Sequence, residues 1–496
     1  MPEPGVASLI PVFVTLVVAF AARNVLVGLF CGVFAGVALL ADASLLMFVP
    51  ELIGKHIVPE VADSYNASVL VLLVFIGGFV ALIEFSGGGT AFARMASEWV
   101  TSRVRAELGA WIGGIMIFFS DLGTPLIVGP VFQPLMRRLR ISGQKLAFIL
   151  DSTSSPVAIL IPFIGWGVFI MSVIGDAFAA NDVATTEWAA FVAAIPYQLY
   201  AWLAITMVPV VALMRADFGP MAAAEDIARR TIDDAVREDA AVDTRARPIL
   251  VWLPLLVLGV ALFAMLGGQG FPFVQVAGAD FRAALAGAYF LAAVMLVVLI
   301  RAMGIKGLLE TFSKYIEGMA GMMSIAATLV LAWALGSISE SLGTAAFVAE
   351  LARDGLSGTF LPAVIFALAA IISFATGSSW GTIIIMMPLA IPSALATDAP
   401  LPVAIAAVLS GGLFGDHSSP VSETTILSST GAGTTPLAHF RTQMPYAITN
   451  GCIAMAGFLF AGHYPFVWVA VIAVTVQIAV VRLLRYALID RRRIRM

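Results

Sequence analysis

Long apolar stretches alternate along this chain with short polar connections, and two of the stretches carry Asp, Ser, Thr, Gly and Pro where a continuous helix would not. The stretches fall at about 8–22, 25–41, 67–85, 146–175, 187–213, 249–267, 282–301, 319–337, 401–430, 445–462 and 466–485. A bilayer crossing needs roughly 20 apolar residues. The apolarity is continuous rather than alternating, which argues against a β-barrel. Helices satisfy their own backbone groups in lipid, so the pattern predicts an all-α polytopic membrane protein.

Two more apolar regions, 109–136 and 358–392, are too long or too interrupted for simple crossings. Basic residues decide how they run, because Lys and Arg favour cytoplasmic loops. Arg94, Arg103 and Arg105 precede the first region, and Arg137, Arg138, Arg140 and Lys145 follow it. It therefore enters and leaves on the cytoplasmic side, as a re-entrant hairpin with Ser120, Asp121, Gly123, Thr124 and Pro125 at its tip. The loops 176–186, 268–281 and 393–400 carry almost no basic residues and are expected outside. The second region is then a hairpin from the outside, with Thr376, Ser378, Ser379 and Trp380 at its tip. This predicts eleven crossings, the amino terminus outside and the carboxyl terminus in the cytoplasm.

The two halves repeat one order of elements: two helices, an amphipathic segment, a helix, a hairpin, an interrupted helix and a closing helix. Local echoes follow suit, "EFSGGGTAF" from Glu84 with "ESLGTAAF" from Glu340, and "STSSPVA" from Ser152 with "HSSPVSE" from His417. Five crossings per half place the second copy upside down, a design of secondary transporters. The expected organisation is a first repeat over 1–214 (interrupted helix 146–175), a connector over 215–248, a second repeat over 249–462 (interrupted helix 401–430), and an extra helix with a basic tail over 463–496. The connector's core, 215–247, holds eight acidic and six basic residues and reads as solvated.

Composition agrees: 60% hydrophobic and 12% charged residues, where soluble domains carry about 25% charged. Cys31 and Cys452 lie in apolar runs and suggest neither a disulfide framework nor a metal site. No residue pattern calls for a cofactor or a nucleic-acid partner.

The chemistry concentrates at the interrupted helices. In "VLSGGLFGDHSSPVSETTILSST", Gly411, Gly412, Gly415 and Pro420 are poor interior helix residues. A break there frees backbone oxygens beside Ser418, Ser419, Ser422, Thr424 and Thr425, and hard cations take several oxygen ligands. Asp416 and Glu423 supply carboxylates seven residues apart; a break either brings them together or separates them. In a competing reading, Asp416 merely N-caps the helix starting near Pro420. His417 either tunes a carboxylate or simply lines a cavity. "ILDSTSSPVAILIPFIGW" repeats the pattern, with Asp151 followed by Ser152, Thr153, Ser154, Ser155 and Pro156, and no Lys or Arg from Leu146 to Met214. Desolvation favours the neutral form of an unpaired carboxylate, so protons and cations compete for it. Asp121 is either a further carboxylate for the ion or an Asx turn. Trp166 and Trp380 follow the polar segments, as gates for an organic substrate or as packing. Glu84 and Glu340, at helix ends, read as interfacial.

"GGLFGDHSSPVSETTILSS" resembles the Gly-Asp-His/Asn-x-Ser-Pro-x-Ser-Asp-Thr-Thr segment of NhaC-type Na+/H+ antiporters, and "DSTSSPVAILIPFIGW" and "GSSWGTIIIMMPLAIP" are similar to two other recurring segments of that family. The resemblance covers about residues 67–460. It implies a secondary carrier of the bacterial inner membrane, one of the ion-transporter superfamily, in which hairpins and interrupted helices move as an elevator and dimers are common. One departure stands out: Glu423 replaces the family's Asp. The expected function is Na+ (or Li+)/H+ antiport, with cation and proton at Asp151, Asp416, Glu423 and Asp121, and with Ser154, Ser155, Ser418, Ser419 and Thr424 completing the shell. Thr124, Ser152, Thr153, Thr376, Ser378, Ser379, His417, Trp166 and Trp380 are candidates for a substrate or second ion. The alternative is Na+-coupled transport of a small organic acid or amino acid, which the lack of Lys and Arg over 146–214 and 355–440 disfavours. An intramembrane hydrolase built on Asp416 and His417 is poorer still, since adjacent helical residues do not face each other.

Overall fold

Helix is the only regular structure among the described residues of the computed structural model, which are 5–22, 24–40, 45–89, 91, 95, 100, 102–118, 121, 123–230, 246–269, 278–344, 347, 357–420 and 422–494. The first half of the chain gives α1 (Ile10–Ala22), α2 (Val25–Leu40), a run of short helical pieces from Leu45 to Ala62, and α3 (Ser64–Ser86). A hairpin of α4 (Arg103–Met116) and α5 (Gly123–Arg138) follows, then α6 (Gly143–Ser152), a single turn at Ser155–Ala158, and α7 (Gly165–Ala179). This half closes with α8 (Glu187–Ala194) and α9 (Leu199–Met214), which meet at a 45° bend by Gln198. Helix α10 (Gly219–Arg230) lies within the polar connector.

The second half runs in the same order: α11 (Ile249–Gly267), α12 (Gly278–Ala302), α13 (Leu308–Gly321), α14 (Met323–Ser341), a hairpin of α15 (Leu361–Thr376) and α16 (Ser379–Ala396), α17 (Leu401–His417), a break, α18 (Glu423–Ala432) and α19 (Pro436–His463). Helix α20 (Val469–Ile494) is additional. Six of the described helical spans are long and apolar enough to cross a membrane, and a seventh if the bent pair α8–α9 is one span. Helices α13 and α14 count as one of these, because only Met322 separates them. Within each pair the helices α4 and α5, and α15 and α16, pack on each other, and the helix interruptions fall after Ser152 and after His417. The first tip falls partly outside the described residues, Ser120 among them. At the second, Gly377 takes a left-handed conformation (φ +66°) and Ser378 caps α16 by accepting from the Gly381 N–H at 3.2 Å.

The helix after each break packs against the opposite half of the chain. Helix α7 lies on α16, and α18 lies on α5 and α6. Gly129 and Gly431 permit the second contact, since a Cβ on Gly129 would meet the Gly431 backbone at 2.6 Å. Helix α17 is buried at every residue from Val403 to Leu413, so its all-round apolarity reflects a position in the protein core rather than a lipid face. Helix α15 packs tightly along it, where a Cβ on Gly415 would stand 2.3 Å from the Ala370 carbonyl oxygen. Gly415→Ala must therefore push the α15 and α17 backbones apart, at a cost of about 1–3 kcal/mol. Its melting temperature in detergent should fall below that of Gly412→Ala, whose new methyl would find its nearest atom at 3.6 Å.

Candidate functional site

Both helix breaks have a proline at their root. Helix α6 starts from a Ser142 cap that accepts from the Lys145 N–H at 3.1 Å and runs as far as Ser152. Pro156 has no N–H to offer the Ser152 carbonyl, and its ring disfavours continuing the helix through Ser155. The chain leaves the helix at Thr153 and Ser154, with Asp151 fully buried at the end. Pro420 acts likewise on Asp416: α17 stops at His417, and the Asp416 carbonyl accepts instead from the Ser419 N–H at 3.0 Å. Asp416 therefore ends one helix rather than capping the next. Ser422 is the cap of α18, accepting from the Thr425 N–H at 3.5 Å.

The fold links the two breaks through shared side chains. Asp151 Oδ1 accepts from Ser428 Oγ at 3.4 Å, and its Oδ2 accepts from Gln443 Nε2. His439 Nε2 stands 3.4 Å from the same Oδ2. Gln443 Nε2 also donates to the His417 carbonyl at 3.1 Å, which ties the first break to the second. Asp416 Oδ2 accepts from Thr424 Oγ1 at 2.9 Å, and Thr424 is 3.0 Å from Ser422 Oγ. His417 Nδ1 is 3.4 Å from the Tyr200 hydroxyl. Asp151, Asp416, His417, His439 and Gln443 are all buried, and among the described residues neither Asp151 nor Asp416 has a Lys or Arg ion-pair partner.

Several buried polar atoms here have no hydrogen-bond partner: Ser155 Oγ, Ser418 Oγ, Thr425 Oγ1, Gln443 Oε1 and His417 Nε2. Buried polar groups are ordinarily satisfied, so these four unpaired oxygens and one ring nitrogen form an arrangement suited to a ligand of positive charge. No group of three or more His, Cys, Asp and Glu with metal-holding geometry occurs among the described residues.

The other candidates divide. Ser154 Oγ donates to the Asp151 carbonyl at 3.1 Å, and Ser152, Ser419 and Ser379 are buried. Thr153, Thr124 and Thr376 turn their hydroxyls onto carbonyls: Ile149 at 2.8 Å, Ile117 at 3.4 Å and Ile372 at 2.9 Å. Asp121 accepts from Trp166 Nε1 at 2.8 Å, and Trp166 lies 4.6 Å from Trp380, so residues of both hairpins meet beside the first break. Glu423 is the first residue of α18, but its side chain lies outside the described residues. Glu84 and Glu340 are exposed at helix ends.

His439, Gln443, Tyr200 and Ser428 escaped assignment from the sequence. For the first two a signal exists. His439, Gln443 and Asn450 are buried polar residues at i, i+4 and i+11 of α19, one face of a helix otherwise predicted as an ordinary closing span.

The sequence model of the Na+/H+ antiporter family matches residues 157–463. An uncharacterised protein of Haemophilus influenzae is 31% identical over 482 residues, covering 92% of this chain and 91% of that protein. The malate-2H+/Na+-lactate antiporter of Bacillus subtilis is 36% identical over 100 residues, 19% of this chain and 21% of that protein. Among solved structures, the YdaH transporter of Alcanivorax borkumensis superposes with a TM-score of 0.59 at 15% identity, over 86% of this chain and 90% of that one. MtrF of Neisseria gonorrhoeae, described with a class of antimetabolite efflux pumps, gives 0.60 at 14% identity, over 91% and 94%. At such identity these two likenesses concern the fold.

Proposed function

The chain belongs to the Na+/H+ antiporter family, and from that premise we propose that it exchanges Na+ (or Li+) for H+ across the membrane, with Asp151 and Asp416 alternately carrying cation and proton. It is a multi-pass membrane protein and a transporter rather than an enzyme. The observation that carries the reading is a buried carboxylate at each of two helix breaks that Gln443 links, neither with a Lys or Arg ion-pair partner among the described residues. A charge at membrane depth costs roughly 2.5–3.5 kcal/mol or more. A pair of them makes sense where a positive ion or proton neutralises them in turn. Ser418, Thr425, Ser155 and Gln443 offer the unpaired oxygens, and Thr424 already contacts Asp416.

The repeated order of elements supports inverted repeats over 1–214 and 249–462, joined by the connector at 215–248. Alternating access would then move the hairpins and interrupted helices as one block. Eleven crossings, an inner-membrane location, a cytoplasmic carboxyl terminus and a homodimer belong to the same proposal. A second reading, Na+-coupled exchange of a small organic acid or amino acid, draws support from the local likeness to the malate/lactate carrier and from the Trp166–Trp380 pair.

Purified protein in proteoliposomes with a pH-sensitive dye separates the two. External Na+ alone should drive proton movement. Flux that appears only once malate, lactate or an amino acid is added would replace the first reading by the second.

A further inference from the structure

Gln443 sits where no helical hydrogen bond requires it, and it holds two oxygens that belong to different helix breaks. Its Nε2 donates to Asp151 Oδ2 and, at 3.1 Å, to the backbone carbonyl of His417. The amide's orientation is fixed by these partners: turned over, Oε1 would face two acceptor oxygens. That carbonyl is free to accept because α17 ends at His417. The other end of the amide, Oε1, is buried without a partner, and the residue as a whole is 2% exposed. A carboxylate oxygen and a freed helix-end carbonyl are the donor types a hard cation selects. An amide NH2, carrying partial positive charge, bridges them here.

Resting on the antiport reading, we propose that Gln443 is the placeholder and selectivity residue of the cation site. Its NH2 group bridges Asp151 and the His417 carbonyl when no ion is bound, and the amide turns over on ion entry so that Oε1 joins the ligand shell. One side chain thereby performs two tasks. It lowers the cost of the ion-free state, in which the carboxylate and carbonyl would otherwise face each other unpaired. It also supplies a neutral oxygen at a distance set by α19, which tunes the site for one alkali ion over another. Pro445 and Tyr446 follow in the same helix, and Tyr446 is fully buried against Phe148 of α6 at 4.7 Å between ring centroids, so α19 is held to the helix that bears Asp151.

Two substitutions give opposite signs under this proposal. Gln443→Met keeps length and apolar volume but loses both the NH2 and the oxygen, and should raise the Na+ concentration for half-maximal flux about tenfold. Gln443→Glu keeps an oxygen, adds charge and cannot bridge as a donor. Assayed at alkaline pH, it should lower that concentration about tenfold and slow maximal turnover, because the ion leaves a more negative site less readily. Both should change the Na+/Li+ preference. A merely structural bridge predicts weaker cation dependence in both variants, since Glu would place a like charge against Asp151. Half-maximal Na+ for Gln443→Glu at or above the wild-type value overturns the proposal. Gln443→Asn, too short by one methylene to reach both oxygens, provides the same readout should either variant fail to fold, with half-maximal Na+ expected to rise and an unchanged value counting against the placeholder. Wild-type protein that shows no Na+-driven proton flux defeats the antiport reading itself. Wild-type flux combined with indifferent Gln443 variants defeats only this one.

Discussion

Asp151→Asn is expected to abolish Na+-driven proton flux, by about 100-fold or more, while leaving the protein folded. Asn has nearly the volume of Asp, and its carbonyl oxygen can still accept from Gln443 Nε2 while its NH2 donates to Ser428 Oγ, so the contacts around position 151 survive. What disappears is the charge. Loss of one member of a buried charge pair costs about 2–5 kcal/mol, and each 1.4 kcal/mol is tenfold in affinity. Asp416→Asn should behave alike, because Thr424 Oγ1 can donate to the Asn carbonyl as it does to Asp416. Flux in proteoliposomes and melting temperature in detergent would be measured on both variants. Full flux in both would remove these two carboxylates from the ion path; loss of flux together with a collapsed melting temperature would move the role of Asp151 from transport to structure.

Lys145→Met should be the most destabilising single change outside the candidate site, at about 3–5 kcal/mol. Lys145 is fully buried six residues before Asp151, with its ammonium 2.5 Å from Asp217 Oδ1 and 3.8 Å from Glu107 Oε2. Tyr446 donates to the same Asp217 oxygen at 3.0 Å. Glu225 of α10 accepts from the Ser142 N–H at 2.8 Å and pairs with Arg103 of α4. Removing the ammonium leaves Asp217 without its ion-pair partner and Glu107 without its nearest cation, in a poorly hydrated cluster. The double variant Lys145→Met/Asp217→Asn should recover some of the loss, since deleting both members of a buried pair costs less than orphaning one. Melting temperatures of the three proteins give the coupling directly, and strict additivity would mean that the pair contributes nothing. This cluster anchors the connector helix α10 to α4, α6 and α19. The connector, read from sequence as simply solvated, is thus docked through its amino-terminal portion, with Met221 and Glu225 buried.

The interrupted helices were legible because their signal is local. Proline within a few residues of Ser, Thr, Gly and a carboxylate, set in an apolar run, has few physical solutions other than a broken helix. The helix pair α4–α5 was expected as a hairpin because basic residues flank that apolar segment on both sides. Asp416 shows the limit of local reasoning, since the same residues allow it to end one helix or to cap the next. The cap went to Ser422, whose short side chain reaches the Thr425 N–H. Connector residues misled for the same reason, because charge in a segment does not say which charges will find buried partners.

His439, Gln443 and Tyr200 lie 22, 26 and 217 residues from His417 or its carbonyl, and nothing in the broken-helix motif points to them. The polar spacing of the first two on α19 reads equally well as helix–helix packing until a partner is known. By itself, the sequence determined which segments are helical, where two helices must break, and that each break carries a carboxylate among hydroxyls. All of these follow from hydrogen bonding within a few residues and from the cost of polar groups in lipid. Only the tertiary structure decided which side chains link the two breaks, with Gln443 joining them, and that Thr153, Thr124 and Thr376 are turned onto carbonyls instead. Those outcomes depend on how helices remote in sequence pack, and packing is set by side-chain shape and close backbone contacts, such as Gly129 on Gly431, that no local pattern encodes.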